Sequence, residues 1–175
     1  MIPDDIFSVS KTWPNKLNIQ LQTSEDAASA SFYNATLRSE GTVTAYLKFL
    51  YQCSTLCEAF KDSCLLGRIW LRQRGLGKSI AQGGFGPFEW AAICAVLLQG
   101  RDAQGKAAVA PGFNCYQLFN ATIQFLSSKD LAAVPFLFQA DSLTVQKSEV
   151  PVFFDGPRGM NILYKMTPWS YAMVF

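Results

Sequence analysis

Four cations, Arg68, Arg72, Arg74 and Lys78, fall within eleven residues of this 175-residue sequence, and Arg68 and Arg72 are spaced i,i+4. Guanidinium groups at that spacing share a helix face and can grip phosphate oxygens or carboxylates, which makes the cluster a candidate contact for RNA phosphates or for an acidic protein surface. Cations also gather near helix C-termini without any ligand, where they meet the negative end of the macrodipole. The Gln82-Gly83-Gly84-Phe85-Gly86 stretch, followed by Pro87, could present backbone N–H groups to an anion. It matches neither GxGxxG nor GxxxxGK[ST], and Lys78 precedes it, so it reads as a tight turn between helices.

Acid chemistry is thinly supported. Asp62, Glu89, Asp130 and Asp155 are far apart, and neither an Asp-x-Asp nor a Gly-Ser dipeptide occurs, so the clustered carboxylates of two-metal nucleotidyl transfer are missing from this chain. Glu89 lies in the first turn of an apolar helical stretch, where an acid stabilises the N-terminus more readily than it performs acid–base work. The complete absence of histidine removes Ser-His-Asp and Cys-His nucleophile pairs, HExxH zinc sites and Cys2His2 fingers. Cys53, Cys57, Cys64, Cys94 and Cys115 form no CxxC and read as small buried hydrophobes of a reduced, intracellular protein. Neither a metal nor a cofactor is expected.

Helices must position these groups. Tyr33, Leu37, Val43, Tyr46, Leu47, Leu50 and Tyr51 follow helical spacing across Ser31 to Ser54, with a break at Gly41. A second helix is expected from Thr55 to Arg74, with Thr55 as N-cap, Glu58 closing a capping box and Gly75 as the left-handed stop. Phe60, Cys64, Ile69, Trp70 and Leu71 should face inward. Phe88 to Gln99 is apolar nearly all round and should be the buried central helix, ended by Gly100. A fourth helix starts at Phe113-Asn114, with Tyr116, Phe119, Ile123 and Leu126 inward, and a last one at Thr167-Pro168. Leu17, Ile19 and Leu21 alternate like a strand, and Ile6 to Val9, Val134 to Phe138 and Val152 to Phe154 are short apolar segments. Loops are expected at Thr23 to Ser29 and Arg101 to Lys106.

Composition sets the outer bounds. Half the residues are hydrophobic and 16% charged, the balance of a chain that builds a core. Fifteen basic against thirteen acidic side chains leave +2, too little for non-specific attraction to nucleic acid or membrane, so any basic site is local. The longest apolar run, Trp90 to Leu98, is nine residues against the roughly 20 needed to span a bilayer; no membrane partner is expected. The chain stops as a new apolar pattern begins, at Ser170 to Phe175, which suggests a fragment of a larger protein.

The run from Cys64 to Gly75, then Gly84-Phe85-Gly86-Pro87-Phe88-Glu89-Trp90, then Tyr116-Gln117-Leu118-Phe119 with Gln124-Phe125-Leu126, resembles the nucleolar RNA-associated protein (Nrap) family, specifically its second, helical domain. Phe32-Tyr33-Asn34, and Phe154-Asp155 through Met160-Asn161-Ile162-Leu163, resemble further family segments. The resemblance spans about residues 5 to 171. Asn114-Cys115 and Ser31 depart from the usual pattern. Trp70, Gln73, Gly75, Gly84, Gly86, Phe88, Glu89, Trp90, Tyr116, Gln117 and Phe119 are the motif positions it carries over.

The resemblance implies a mainly α domain with a few short β-strands, like the substrate-binding domain of class I nucleotidyltransferases. The poly(A) polymerase/oligoadenylate synthetase-like part would occupy residues 31–175, with residues 1–30 leading in. It implies a catalytically silent nucleolar scaffold of the small-subunit processome, supporting pre-rRNA processing. Its partners would be other domains of the same protein, processome proteins and, as an open possibility, pre-rRNA at Arg68, Arg72, Arg74 and Lys78. The alternative is the substrate-binding domain of an active RNA nucleotidyltransferase whose catalytic domain lies outside this chain.

Overall fold

Helix Pro87–Gln99 (α4) has no polar side, and the rest of the chain wraps it. In this computed structural model, which describes residues 24–100, 109–140 and 151–174, the order is α1 (Ser24–Gly41), α2 (Val43–Leu56), α3 (Phe60–Gln73), α4, α5 (Cys115–Ser128), β1 (Phe136–Phe138), β2 (Phe153–Asp155), β3 (Met160–Asn161) and α6 (Pro168–Val174). Helices α2, α3 and α5 all pack on α4, and every residue from Ala92 to Leu98 is buried. Ile93, Val96, Leu97 and Leu98 each contribute on the order of 1.5–3 kcal/mol by leaving water. The expected central helix and the mainly α class with a few short strands are both observed.

Three strands form a small sheet in the order β1-β2-β3. β1 and β2 are parallel, with Phe136 opposite Phe153 and Phe138 opposite Asp155, and β3 returns antiparallel with Phe154 opposite Asn161. The α4–α3 contact is close because α3 carries Gly67 where Trp90 crosses it; a Cβ there would overlap the indole ring. Trp90 then stacks with Trp70 and Phe119, ring centroids 5.9 and 5.2 Å away, joining three helices through one aromatic cluster. Tyr171 pins α6 down by donating to Lys129 O at 2.7 Å while accepting from Leu131 N at 2.9 Å.

Helix ends match the sequence signals in several places. Gly75 ends α3 at φ +71, Asn114 and Gln117 form a reciprocal capping box at the start of α5, and Thr167 Oγ1 accepts from Ser170 N at 3.1 Å ahead of Pro168. Other expectations need correction. Of the loop expected from Thr23 to Ser29, the described part, Ser24 to Ser29, is helical, since α1 begins at Ser24; its acids and alanines suit a helical first turn. Thr55 is not an N-cap: α2 runs through it, and its hydroxyl donates back to Gln52 O at 2.8 Å, while α3 starts five residues later at Phe60. A Thr-x-x-Glu string carries the same letters whether a helix begins or ends there, and the two-residue turn after Cys57 decides it.

Two inward assignments are also reversed. Ile69 and Tyr116 are exposed, because the buried stripes of α3 and α5 run through Ser63, Gly67 and Leu71 and through Leu118, Thr122 and Leu126. The expected strands at Ile6 to Val9 and Leu17 to Leu21, and the expected loop at Arg101 to Lys106, lie outside the described residues.

Replacing Gly67 by Ala tests the α3–α4 contact. The substitution gains about 1 kcal/mol of helix propensity, but overpacking against the fully buried Trp90 ring costs about 1–3 kcal/mol. We expect a net loss, read as a lower urea midpoint at unchanged slope; a higher midpoint would mean that Trp90 moves aside freely.

Candidate functional site

Helix α3 carries the cations, and its phase divides them. Arg68 and Arg72 stand one turn apart on the exposed side of the helix. Arg74 follows two residues later, roughly 200° around the axis, and its guanidinium lies 4.6 Å from the centre of the Trp70 ring. That cation–π contact holds Arg74 against the aromatic cluster rather than beside Arg72. Lys78 lies beyond the helix, exposed, its backbone packed beside Gly86. Arg68 and Arg72 are therefore brought together on one face, while Arg74 and Lys78 stand apart from it.

The glycine-rich turn is a structural lock. Gly84 has φ +71, and a Cβ there would strike the carbonyl of Lys165, so only glycine fits. Gly86 caps α4, its N–H donating to Glu89 Oε2 at 3.0 Å, and Lys165 Nζ reaches Glu89 Oε1 at 3.4 Å. Glu89 is buried, and both of its oxygens are engaged: one closes the cap, the other ties the turn to the segment before α6. The remaining motif positions fall into the same framework. Phe88 meets Tyr46 edge-on at 5.1 Å, Gln117 caps α5, and Gln73 and Tyr116 are exposed.

A second buried carboxylate was not singled out as a partner of anything by the sequence. Asp155, fully buried at the end of β2, takes Arg158 Nη1 at 3.0 and 2.7 Å. The guanidinium in turn lies 3.5 Å from the centre of Phe49 and 5.3 Å from that of Tyr46, and Arg38 Nε donates to Arg158 O at 3.2 Å. α1 and α2 are thus fastened to the sheet through one charge pair. Burial, and then the charge of Asp155, push the Tyr46 phenol well above its ordinary range. Asn161 completes the turn, accepting from Phe153 N and Leu163 N at 3.0 and 3.1 Å and donating to Pro151 O at 3.2 Å. The signal in the sequence was an acid and an arginine three residues apart around Gly156-Pro157.

All five cysteines are free thiols. Cys53 donates toward Ala95 O, and Cys94 sits 3.2 Å from Thr122 Oγ1. Burial pushes the Cys53 thiol up to about 11 and Cys94 upward as well, so neither is a ready nucleophile. Among the described residues no group of three or more His, Cys, Asp or Glu is placed to hold a metal ion, and no helix is long and apolar enough to cross a membrane.

Among known families, the model described as the Nrap protein PAP/OAS-like domain matches residues 59–175, and the one described as Nrap protein domain 1 matches residues 1–55. The division falls at the turn between α2 and α3. The chain is 32% identical over 190 residues to U3 small nucleolar RNA-associated protein 22 of Saccharomyces cerevisiae, covering 98% of this chain and 15% of that protein. It is 33% identical over 164 residues to the protein of that name from Schizosaccharomyces pombe, covering 92% of this chain and 15% of the relative. Nucleolar protein 6 of Xenopus laevis is 30% identical over 138 residues, covering 74% of this chain and 11% of its own length. The chain thus spans about a seventh or less of the relatives it matches.

Two measurements follow from the buried groups. Asp155→Asn keeps the shape but leaves Arg158 partly buried without a counter-charge, which costs about 3 kcal/mol; Asp155→Asn with Arg158→Met should recover part of that loss in chemical denaturation, and a double variant no better than the single one would show that the pair is not the cause. For the thiols the sign follows from protons bound. Unfolded thiols ionise at about 8.5, whereas Cys53 retains its proton to about 11 in the fold. The native state then binds more protons over that interval, so stability is full below pH 8 and falls as pH rises towards 11. The denaturation midpoint should drop between pH 8 and 9.5, less steeply in Cys53→Ala; a flat parent profile would refute it.

Proposed function

The chain belongs to the Nrap family, and on that premise we propose that it is a non-catalytic domain of a nucleolar ribosome-assembly factor. It supports small-subunit processome assembly and pre-rRNA processing by surface contact, with assembly proteins, with other domains of its own polypeptide or with pre-rRNA. The observation that carries this reading is the fate of the buried carboxylates. Glu89 closes a helix cap and holds Lys165, and Asp155 holds Arg158. Neither is free to bind a divalent cation, and a two-metal phosphoryl transfer requires acids converging on one point.

The motif positions support the same reading. Gly84, Gly86, Trp90, Gln117 and Phe119 build the turn, the caps and the aromatic cluster, which are the parts of a scaffold. The relatives are by name a U3 small nucleolar RNA-associated protein and a nucleolar protein, which favours the nucleolus as the place of action.

The purified chain should incorporate no labelled ATP or CTP into an RNA primer with magnesium or manganese present. Incorporation above a protein-free control that disappears in Glu89→Gln would overturn the non-catalytic reading and favour the alternative, a substrate-binding domain that takes part in nucleotidyl transfer.

A further inference from the structure

Helix α3 buries one side and leaves the other exposed. Phe60, Ser63, Gly67 and Leu71 face the core. On a helix of 3.6 residues per turn, Lys61, Leu65, Arg68, Ile69 and Arg72 fall within a stripe about 100° wide on the opposite side. All five are exposed; Leu65 keeps 54% and Ile69 46% of its surface in water. Asp62 stands at the apolar edge of the stripe, yet among the described residues no carboxylate forms an ion pair with Lys61, Arg68 or Arg72. Exposed single aliphatics are ordinary. Two of them one turn apart, flanked by three exposed cations, form a surface with a defined complement.

We propose that this face of α3 docks an acidic amphipathic helix of a separate assembly protein. Its leucine- or isoleucine-type side chains would cover Leu65 and Ile69, and its Asp and Glu residues would pair with Lys61, Arg68 and Arg72. The proposal rests on the assembly-module reading and names the class of partner. Charge decides for an acidic occupant, since Arg68 and Arg72 stand one turn apart and Lys61 lies on the same side of the helix, a positive stripe that an opposite charge complements. The aliphatic pair decides for protein over RNA. Leu65 and Ile69 can neither stack on bases nor neutralise phosphates, and single-stranded RNA sites interleave their cations with aromatic rings. The aromatic residue of this half of α3, Trp70, is turned towards Trp90 and Phe119 and covered by Arg74. An apolar stripe with charged flanks is instead how one helix recognises another.

The test uses the 175-residue chain and a labelled 21-residue peptide designed with Leu at heptad a and d positions and Glu at e and g, read by fluorescence anisotropy. The peptide should bind at least about tenfold more tightly than a scrambled peptide of equal composition. Leu65→Ala with Ile69→Ala should weaken binding about tenfold or more without moving the urea midpoint, both side chains being at the surface. Arg68→Ala with Arg72→Ala should weaken it and flatten its salt dependence. Oligouridine should not compete. Equal binding of the two peptides, indifference to Leu65 and Ile69, or no binding would overturn the proposal. Oligouridine binding that needs Arg68 and Arg72 but not the aliphatic pair would make this an RNA surface. Nucleotide incorporation on the same preparation keeps the two questions separate: a chain that binds no peptide and transfers no nucleotide loses this partner, not the assembly-module reading.

Discussion

A helix with no polar side can exist in water only if other elements cover all of it, and α4 imposes that demand on the whole domain. Residues Ala92 to Leu98 leave no direction in which α4 could face solvent. α2, α3 and α5 must therefore pack on it, and Phe138, Phe153 and Met160 of the strands join the same core. The tightest approach, Gly67 on Trp90, sets the distance between α3 and α4, and Trp70 and Phe119 pack around the same indole. The outward face of α3 is thus a consequence of the core: once Gly67 is seated on Trp90, Leu65, Arg68 and Ile69 have to point away.

How far this was legible depended on whether a signal was local. α4 could be read because an unbroken apolar run has one interpretation at that length. Gly75, the helix start at Asn114 and Thr167-Pro168 could be read because caps are decided within four residues; the reciprocal bond with Gln117 emerged only in the structure. The phase of α3 and α5 could not. Both have apolar residues on more than one side, so Ile69 and Tyr116 looked as suitable for the core as Leu71 and Leu118, and the choice was made by Gly67 meeting a tryptophan 23 positions later. Thr55 failed for the opposite reason: the local motif was present, but the helix before it had not ended.

The candidate surface was legible as composition and not as geometry. Four cations in eleven residues are visible in the letters; that they divide between an outward pair, an arginine stacked on Trp70 and a lysine in the following turn is not. The Asp155–Arg158 pair was visible as spacing, but its significance lies in Phe49 and Tyr46, more than a hundred residues earlier in the chain. Aromatic rings from a separate helix make a turn-sized ion pair into the fastening between two parts of the fold.

Net charge hides this arrangement. A value of +2 argues against a protein that works by general attraction to nucleic acid, and that conclusion stands for the molecule viewed from many Debye lengths away. At contact range what matters is where the charges stand: Glu89 and Asp155 are buried with cations of their own and cancel pairwise, whereas the cations of α3 share its exposed side. The charges that remain in solvent on α3 are then weighted towards Lys61, Arg68 and Arg72. A chain that is nearly neutral overall presents a positive face because the phase of α3 gathers Lys61, Arg68 and Arg72 on its outward side, so helix geometry and not net charge sets the sign of the surface available for recognition.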